Sequence, residues 1–305
     1  AVGLVVSGTA MFSVGTVAGR VGYATFISAF IALIPMMMAA FAFGELTAML
    51  PGGGMISDYT LPAMGRFWAT FSLLSGYVVL IATDGGAQLV IGGLAIQKMV
   101  GIPQLLVTLI MLLCVVIINV FNVGIYGKVE TVITIFMMIL FAMLSICGCS
   151  HLGELYTGAV PQNLNSSPKS DLNWSSILSN AGAAVWFFIG FEFACPMAEE
   201  NVKPYKNIPY ALIFGLLTIY LVDSLFAFAA VRYTDVNILQ NSSTPQLDAA
   251  TAMLGKTGSV IMVCLTFFAA FTTANAYIAS LPRMLYGLAR EKLVPSFFAK
   301  INSRT

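Results

Sequence analysis

The sequence predicts an all-α polytopic membrane protein of about eight spans, and three observations carry that prediction. Only 9% of its 305 residues are charged, against roughly a quarter in soluble globular domains. Mean hydropathy is +0.91. Apolar runs long enough to cross about 30 Å of hydrocarbon recur along the chain. A surface so poor in charge cannot be wetted all round, so most of it must face lipid. The formal net charge of +1 implies no strongly acidic or basic partner and argues against nucleic acid.

The spans follow in order. The first, Ala1 to Ala18, is short. The second is Ala24 to Leu50, the third Trp68 to Gln97, the fourth Pro103 to Phe121 and the fifth Val129 to Cys149. The sixth is Trp174 to Ala198, the seventh Ile208 to Val231 and the eighth Ser259 to Leu288. Turn chemistry separates them: Pro51-Gly52-Gly53-Gly54, the polar stretch Gly158 to Asp171, Lys203-Pro204-Tyr205-Lys206-Asn207, and Asn237 to Pro245. The short first span and the basic segment after the eighth lead us to expect the N-terminal portion of a longer protein.

Lysine and arginine set the expected orientation. With the N-terminus cytoplasmic, Arg66, Lys128, Lys203, Lys206, Arg283, Arg290, Lys292, Lys300 and Arg304 fall inside. Arg20, Lys98, Lys169, Arg232 and Lys256 fall outside, so nine stand against five. That orientation, in the cell (inner) membrane, is the expectation.

Cys114, Cys147, Cys149, Cys195 and Cys264 lie in or beside apolar runs and read as packing residues. His151 is the only histidine and sits in a loop, so no His-based metal cluster or Ser–His–Asp triad is available inside the membrane. No metal and no cofactor are expected. Met36-Met37-Met38 reads as lipid-facing filler, since a copper path would need methionine with His or Cys at recurring spacing.

Two places break the helical pattern. Ser7-Gly8-Thr9-Ala10 lies mid-way through span one, and Ile189-Gly190-Phe191-Glu192 mid-way through span six. Unwound helices at mid-membrane expose backbone N–H and C=O groups, which suit a substrate's carboxylate and ammonium. The bland alternative is close helix packing through small residues, and the residues alone do not decide between them. Asp84, Glu192 and Asp223 lie deep in apolar runs with no Lys or Arg at comparable depth. An acid there costs about 2.5–3.5 kcal/mol or more unless paired, protonated or wet. The unmatched negative sign suits a substrate ammonium or a coupling proton, and a protonated structural acid is the alternative. Glu45 reads as interfacial. Among Trp186, Phe187, Phe188 and Phe191, the two flanking Gly190, Phe188 and Phe191, are the gate candidates.

Five segments in order resemble the amino acid–polyamine–organocation permease family. Gly8-Thr9-Ala10-Met11-Phe12 is similar to its first-span Gly-Ser-Gly-Ile-Phe. Glu45-Leu46, Leu50-Pro51 and Gly54, with Tyr59 following, resemble its "AEL…LP…GG" stretch. Asn119-Val120-Phe121 and Gly127-Lys128-Val129-Glu130 resemble "NxF…GExE". Phe188-Ile189-Gly190-Phe191-Glu192, Ala198-Glu199-Glu200, Pro204 and Asn207-Ile208-Pro209 resemble "FxGFE…AEE…NP…NIP", the most specific block. Arg283 to Arg290, then Pro295, resembles "SRxLYxxARDGxxP".

The resemblance implies an inverted-repeat, five-plus-five, leucine-transporter-type fold, here truncated to about eight helices. Residues 1–149 would be the first repeat, 150–173 an extracellular loop, and 174–305 the first three helices of the second repeat. It implies secondary active transport of an amino acid or small amine by alternating access, with a proton or a sodium ion as the candidate coupling ion and uniport, symport and exchange all left open. The substrate would meet Ser7, Gly8, Thr9, Ala10, Phe188, Ile189, Gly190, Phe191, Glu192 and Asp84. Three positions depart from the pattern. Ala10 replaces a frequent Gly. Met137 stands where some members carry a fifth-span lysine. Pro282 replaces Ser and should kink span eight. The alternatives are a non-transporting nutrient sensor of the same fold and a membrane-embedded enzyme. Asp84-Gly85 is the only hint of the latter, so the expectation is that the protein is not an enzyme.

Overall fold

The computed structural model describes residues 2–121, 123–150, 154–155, 158, 161 and 173–300. Span one is α1 (Val2–Val5) and α2 (Gly8–Val21), and span two is α3 (Thr25–Met49). After α4 (Ile56–Met64), span three runs through α5 (Arg66–Leu73), a π-helical turn at Leu74–Val78, and α6 (Val79–Val100). Spans four and five are α7 (Gln104–Phe121) and α8 (Val123–Cys149). Span six begins as α9 (Trp174–Ala184) and continues as 3₁₀ turns at Val185–Phe187 and Phe191–Glu200. Span seven is α10 (Pro204–Tyr233), followed by the short α11 (Val236–Asn241) and then α12 (Pro245–Arg290).

Six stretches among the described residues are long and apolar enough to cross a membrane, and the chain is an integral membrane protein. The difference from the expected eight has a physical cause. Gly8–Met49 counts as one stretch, yet it folds at Gly22, whose φ of 58° ends α2, and so holds spans one and two. The fourth span falls short in length: its apolar helix is Gln104–Asn119. Most of the expected loop 150–173, with His151, lies outside the described residues.

The helices show the inverse of a soluble pattern. On α3 the outer face carries Phe26, Phe30, Ile34, Met38 and Phe41, all exposed. Its inner face buries Ala29, Ala32, Leu33 and Ala40. Large apolar residues meet lipid, while small ones let backbones approach.

The pairing of spans positions the site. Span two packs against span seven (α3 on α10) and span three against span eight (α6 on α12). Spans one and six pair crosswise. α1 packs on the 3₁₀ segment Phe191–Glu200, while α2 packs on α9 and Val185–Phe187. First half meets second half in both directions, so the spans run antiparallel with their interruptions at one level.

Span six covers Trp174–Ala198 as expected, and its α-helical part ends at Ala184, ahead of the expected interruption at Gly190. Pro282 keeps helical backbone angles, and α12 departs from them at Leu254 and Gly255 (φ 58°, ψ −139°), ahead of the expected eighth span. A proline near a helix end forfeits a single ladder bond, whereas a positive φ reverses the chain's path.

Candidate functional site

The interruption in span one is tighter and earlier than the sequence suggests. It occupies Val6 and Ser7, while Gly8, Thr9 and Ala10 already form the first turn of α2. Ser7 is the N-cap, in extended conformation, with its Oγ accepting from the Ala10 N–H at 3.1 Å. That preference of Ser for the N-cap is the local reason the new helix starts there. The four residues therefore present not a loop but a helix N-terminus, with its partial positive charge.

The interruption in span six is wider. Phe188, Ile189 and Gly190 form a turn between two 3₁₀ segments. Gly190 has φ 106° and ψ −8°, a conformation that glycine alone adopts cheaply. Its N–H donates to Glu192 Oε2 at 3.2 Å, and its carbonyl accepts from the Phe193 N–H at 3.2 Å. Glu192 thus folds back on its own turn and caps it.

A buried polar network stands beside the span-one interruption. Asp84, 8% exposed, faces the interior. Its Oδ2 accepts from the Tyr277 hydroxyl at 2.7 Å and from Gln88 Nε2 at 3.1 Å. Gln88 Nε2 also donates to Thr9 Oγ1 at 2.6 Å, and Gln88 Oε1 accepts from the Thr9 N–H at 3.2 Å. Thr9 and Ser7 hydroxyls lie 3.1 Å apart. Spans one, three and eight are thereby tied around one inward carboxylate, as the cost of a lipid-facing acid demands.

Of the expected residues, the structure brings Ser7, Thr9, Ala10 and Asp84 into this network. Phe188, Ile189, Gly190 and Glu192 form the facing turn. The gate candidates Phe188 and Phe191 are both buried, and Phe191 meets Phe43 edge-on at 6.2 Å. Trp186 is exposed. Asp223 is buried in α10 but takes no part in the network's bonds. Glu45 is exposed.

The sequence reading does not single out Gln88, Tyr277 or Phe193. Phe193 is fully buried between Tyr77 (5.6 Å) and Tyr277 (5.0 Å). Gln88 does carry a signal: it lies four residues after Asp84, on the same helix face.

Two clefts lie away from the interruptions, towards the end that carries Arg66, Arg290 and Lys292. One, of about 730 Å³, lies between Arg66, Phe71, Val79 and Lys292. The other, of about 490 Å³, lies between Gly52–Gly54, Asp58 and Arg290. Asp58 Oδ2 accepts from the Gly54 N–H at 3.0 Å, which holds the glycine loop. Nearby on α4, burial raises the Tyr59 phenol above its ordinary range, with Thr47 Oγ1 at 2.7 Å. Among the described residues, no group of three or more His, Cys, Asp or Glu is placed to hold a metal.

The sequence profile of the family described as Amino acid permease matches residues 1–305. A glutamate/serine transporter of Bacillus subtilis (strain 168) is 25% identical over 96% of this chain and 58% of its own length. A histidine permease of Lactococcus lactis subsp. cremoris is 28% identical over 84% of this chain and 56% of its own. A vacuolar cationic amino acid transporter of Arabidopsis thaliana is 24% identical over 100% and 53%. The chain spans about half the length of these relatives.

Proposed function

The chain belongs to the amino acid permease family, and on that premise we propose that the whole protein is a secondary transporter. Its substrate is an amino acid or related small amine, moved by alternating access. The observation that carries this reading is the crosswise pairing of two interrupted spans at one level. Such a pair offers a substrate what a continuous bundle withholds: backbone N–H and C=O groups outside the helical ladder, in a site walled by apolar side chains.

The substrate carboxylate sits at the N-terminus of α2, among the Gly8, Thr9 and Ala10 N–H groups and the Ser7 hydroxyl. Its ammonium faces the carbonyls of Phe188, Ile189 and Gly190, with the Glu192 carboxylate beside them and Phe191 closing the side. Asp84 holds the wall through Tyr277. The pairing of spans one, two and three with six, seven and eight supports an inverted repeat, with residues 1–149 as its first half. The basic residues around both clefts support a cytoplasmic N-terminus in the cell membrane. Relatives named as transporters and permeases support a transport rather than a catalytic role.

The test is uptake of a panel of radiolabelled amino acids by the full-length protein in liposomes, with and without imposed proton and sodium gradients. Gradient-driven uptake of at least one of them is the expected result. Saturable binding without flux would favour a nutrient sensor, and neither binding nor flux would overturn the reading.

A further inference from the structure

Gln88 is an unusual neighbour for a helix N-terminus that the substrate has to reach. It is fully buried, and its side-chain amide is held at both ends. The orientation of that amide is set by chemistry. Asp84 Oδ2 already accepts from Tyr277 and can offer Gln88 only an acceptor, so the Gln88 NH₂ must face Asp84. The carbonyl oxygen must then face Thr9, where it takes the N–H at 3.2 Å. Gly8 keeps that approach open: a Cβ there would stand 3.2 Å from Gln88 Oε1 and 3.2 Å from Ile91 Cγ2.

An amide oxygen has the shape of one carboxylate oxygen without its charge. The Thr9 N–H is among the groups assigned above to the substrate's carboxylate. We infer that Gln88 is a resident competitor for that seat: its amide holds the Thr9 N–H in the empty site, the substrate carboxylate displaces it, and this exchange sets both affinity and preference for carboxylate-bearing ligands. The inference rests on the proposed carboxylate site at α2.

The exchange is favoured in direction and taxed in magnitude. A helix N-terminus prefers an anion to a neutral amide, so the substrate wins. Displacing a resident group nevertheless raises the apparent dissociation constant by the factor that favours the resident. One net neutral hydrogen bond biases an equilibrium by roughly 3- to 10-fold. A ligand without a carboxylate leaves Gln88 in place and bears no such tax. Gln88 Nε2 keeps its bonds to Asp84 and to Thr9 Oγ1 (2.6 Å) while Oε1 lets go, so the exchange removes one of Gln88's two bonds to Thr9 and leaves span three tied to span eight.

The test measures equilibrium binding to the purified full-length protein. The probes are the radiolabelled L-amino acid that binds most tightly in a panel of twenty, and the amine obtained by removing its carboxylate. Gln88→Ala and Gln88→Leu both remove the competitor, and Leu keeps the bulk. Each should bind the amino acid roughly 3- to 10-fold more tightly while its affinity for the amine stays within about twofold. Weaker or unchanged amino acid binding in a folded variant, or an equal gain for the amine, would overturn the inference. If one variant does not fold, the other decides. A wild-type protein that binds the amine as tightly as the amino acid would instead overturn the carboxylate site itself, and that result needs no variant.

Discussion

Replacing Gly190 by valine tests the span-six interruption directly. Gly190 holds φ 106°, where a β-branched residue is strained by about 1–3 kcal/mol. The variant has two ways out. It can keep the turn and store that strain. Or it can move to negative φ, losing the bond from Gly190 N–H to Glu192 (3.2 Å) and that from Phe193 N–H to the Gly190 carbonyl (3.2 Å). Each such bond is worth about 0.5–1.5 kcal/mol net, so both routes cost a similar amount. Stored strain is common to the free and bound protein and lowers the melt, whereas a turn that has moved must be restored for binding. By the second route, at about 1.4 kcal/mol per tenfold, amino acid affinity should fall roughly 5- to 150-fold. Gly190→Ala should fall between wild type and valine, since it has a Cβ but no branch. The assay is equilibrium binding to the full-length protein, with a thermal melt to establish that each variant is folded. Wild-type affinity together with a wild-type melt in Gly190→Val would refute this account of the span-six turn.

Three further outcomes are expected. Tyr277→Phe removes the buried 2.7 Å donor to Asp84 and should lower stability by about 1–3 kcal/mol. An unshifted thermal melt would mean that Asp84 gains nothing from span eight. Gly287→Ala would set a Cβ 2.6 Å from Gly54 Cα, backbone against backbone. It should cost about 1–3 kcal/mol, and an unchanged melt would mean that the glycine loop is free to part from α12. Met137 is fully buried in α8, and the segment Glu130–Cys149 contains no lysine. Ion-driven flux should therefore survive Lys128→Ala with its gradient dependence intact, and loss of proton drive in that variant would contradict the reading.

How much of this was legible beforehand depends on the range of the interaction. The turn at Gly190 was readable because its signal is local: a glycine beside an acid within an apolar run. The inward turn of Asp84 was readable because lipid leaves an acid no other cheap place. The start of α2 was misjudged by two or three residues. Ser7 reads as part of a small-residue stretch, and its role as the N-cap of α2 emerges only in the structure. Gln88 and Tyr277 were not picked out, because their partners are far away in sequence: Gln88 meets Thr9 79 residues back, and Tyr277 meets Asp84 across 193 residues. Polar side chains on apolar helices reveal their role only when the bundle is assembled. The cluster of Asn119, Asn275 and Glu130 is a second example. Asn119 donates to Asn275 at 2.6 Å and Asn275 to Glu130 at 3.4 Å, joining spans four, five and eight.

The two ends of the site are held differently, and this bears on the proposed cycle. Along α2, a Cβ on Gly15 would stand 2.8 Å from Pro245 Cβ, and one on Gly19 would stand 2.5 Å from the Gln240 backbone nitrogen. The second half of span one is therefore closed against α11 and the start of α12 without room for a methyl group. Lys98 and Asp248, 2.6 Å apart, pin span three to the same place. The open clefts lie at the other end, beside Arg66, Lys292 and Arg290. Because span one is interrupted at Val6 and Ser7, α1 can tilt with the Phe191–Glu200 segment on which it packs while α2 stays clamped. A continuous helix would have to carry both ends together. Opening the clamped end requires α2 to leave α11, and α2 is also the element that Gln88 holds through Thr9. A carboxylate that displaces Gln88 Oε1 would thus remove one of Gln88's two bonds to Thr9, loosening the half-helix whose movement the proposed cycle needs and linking occupancy to opening through residues already in contact.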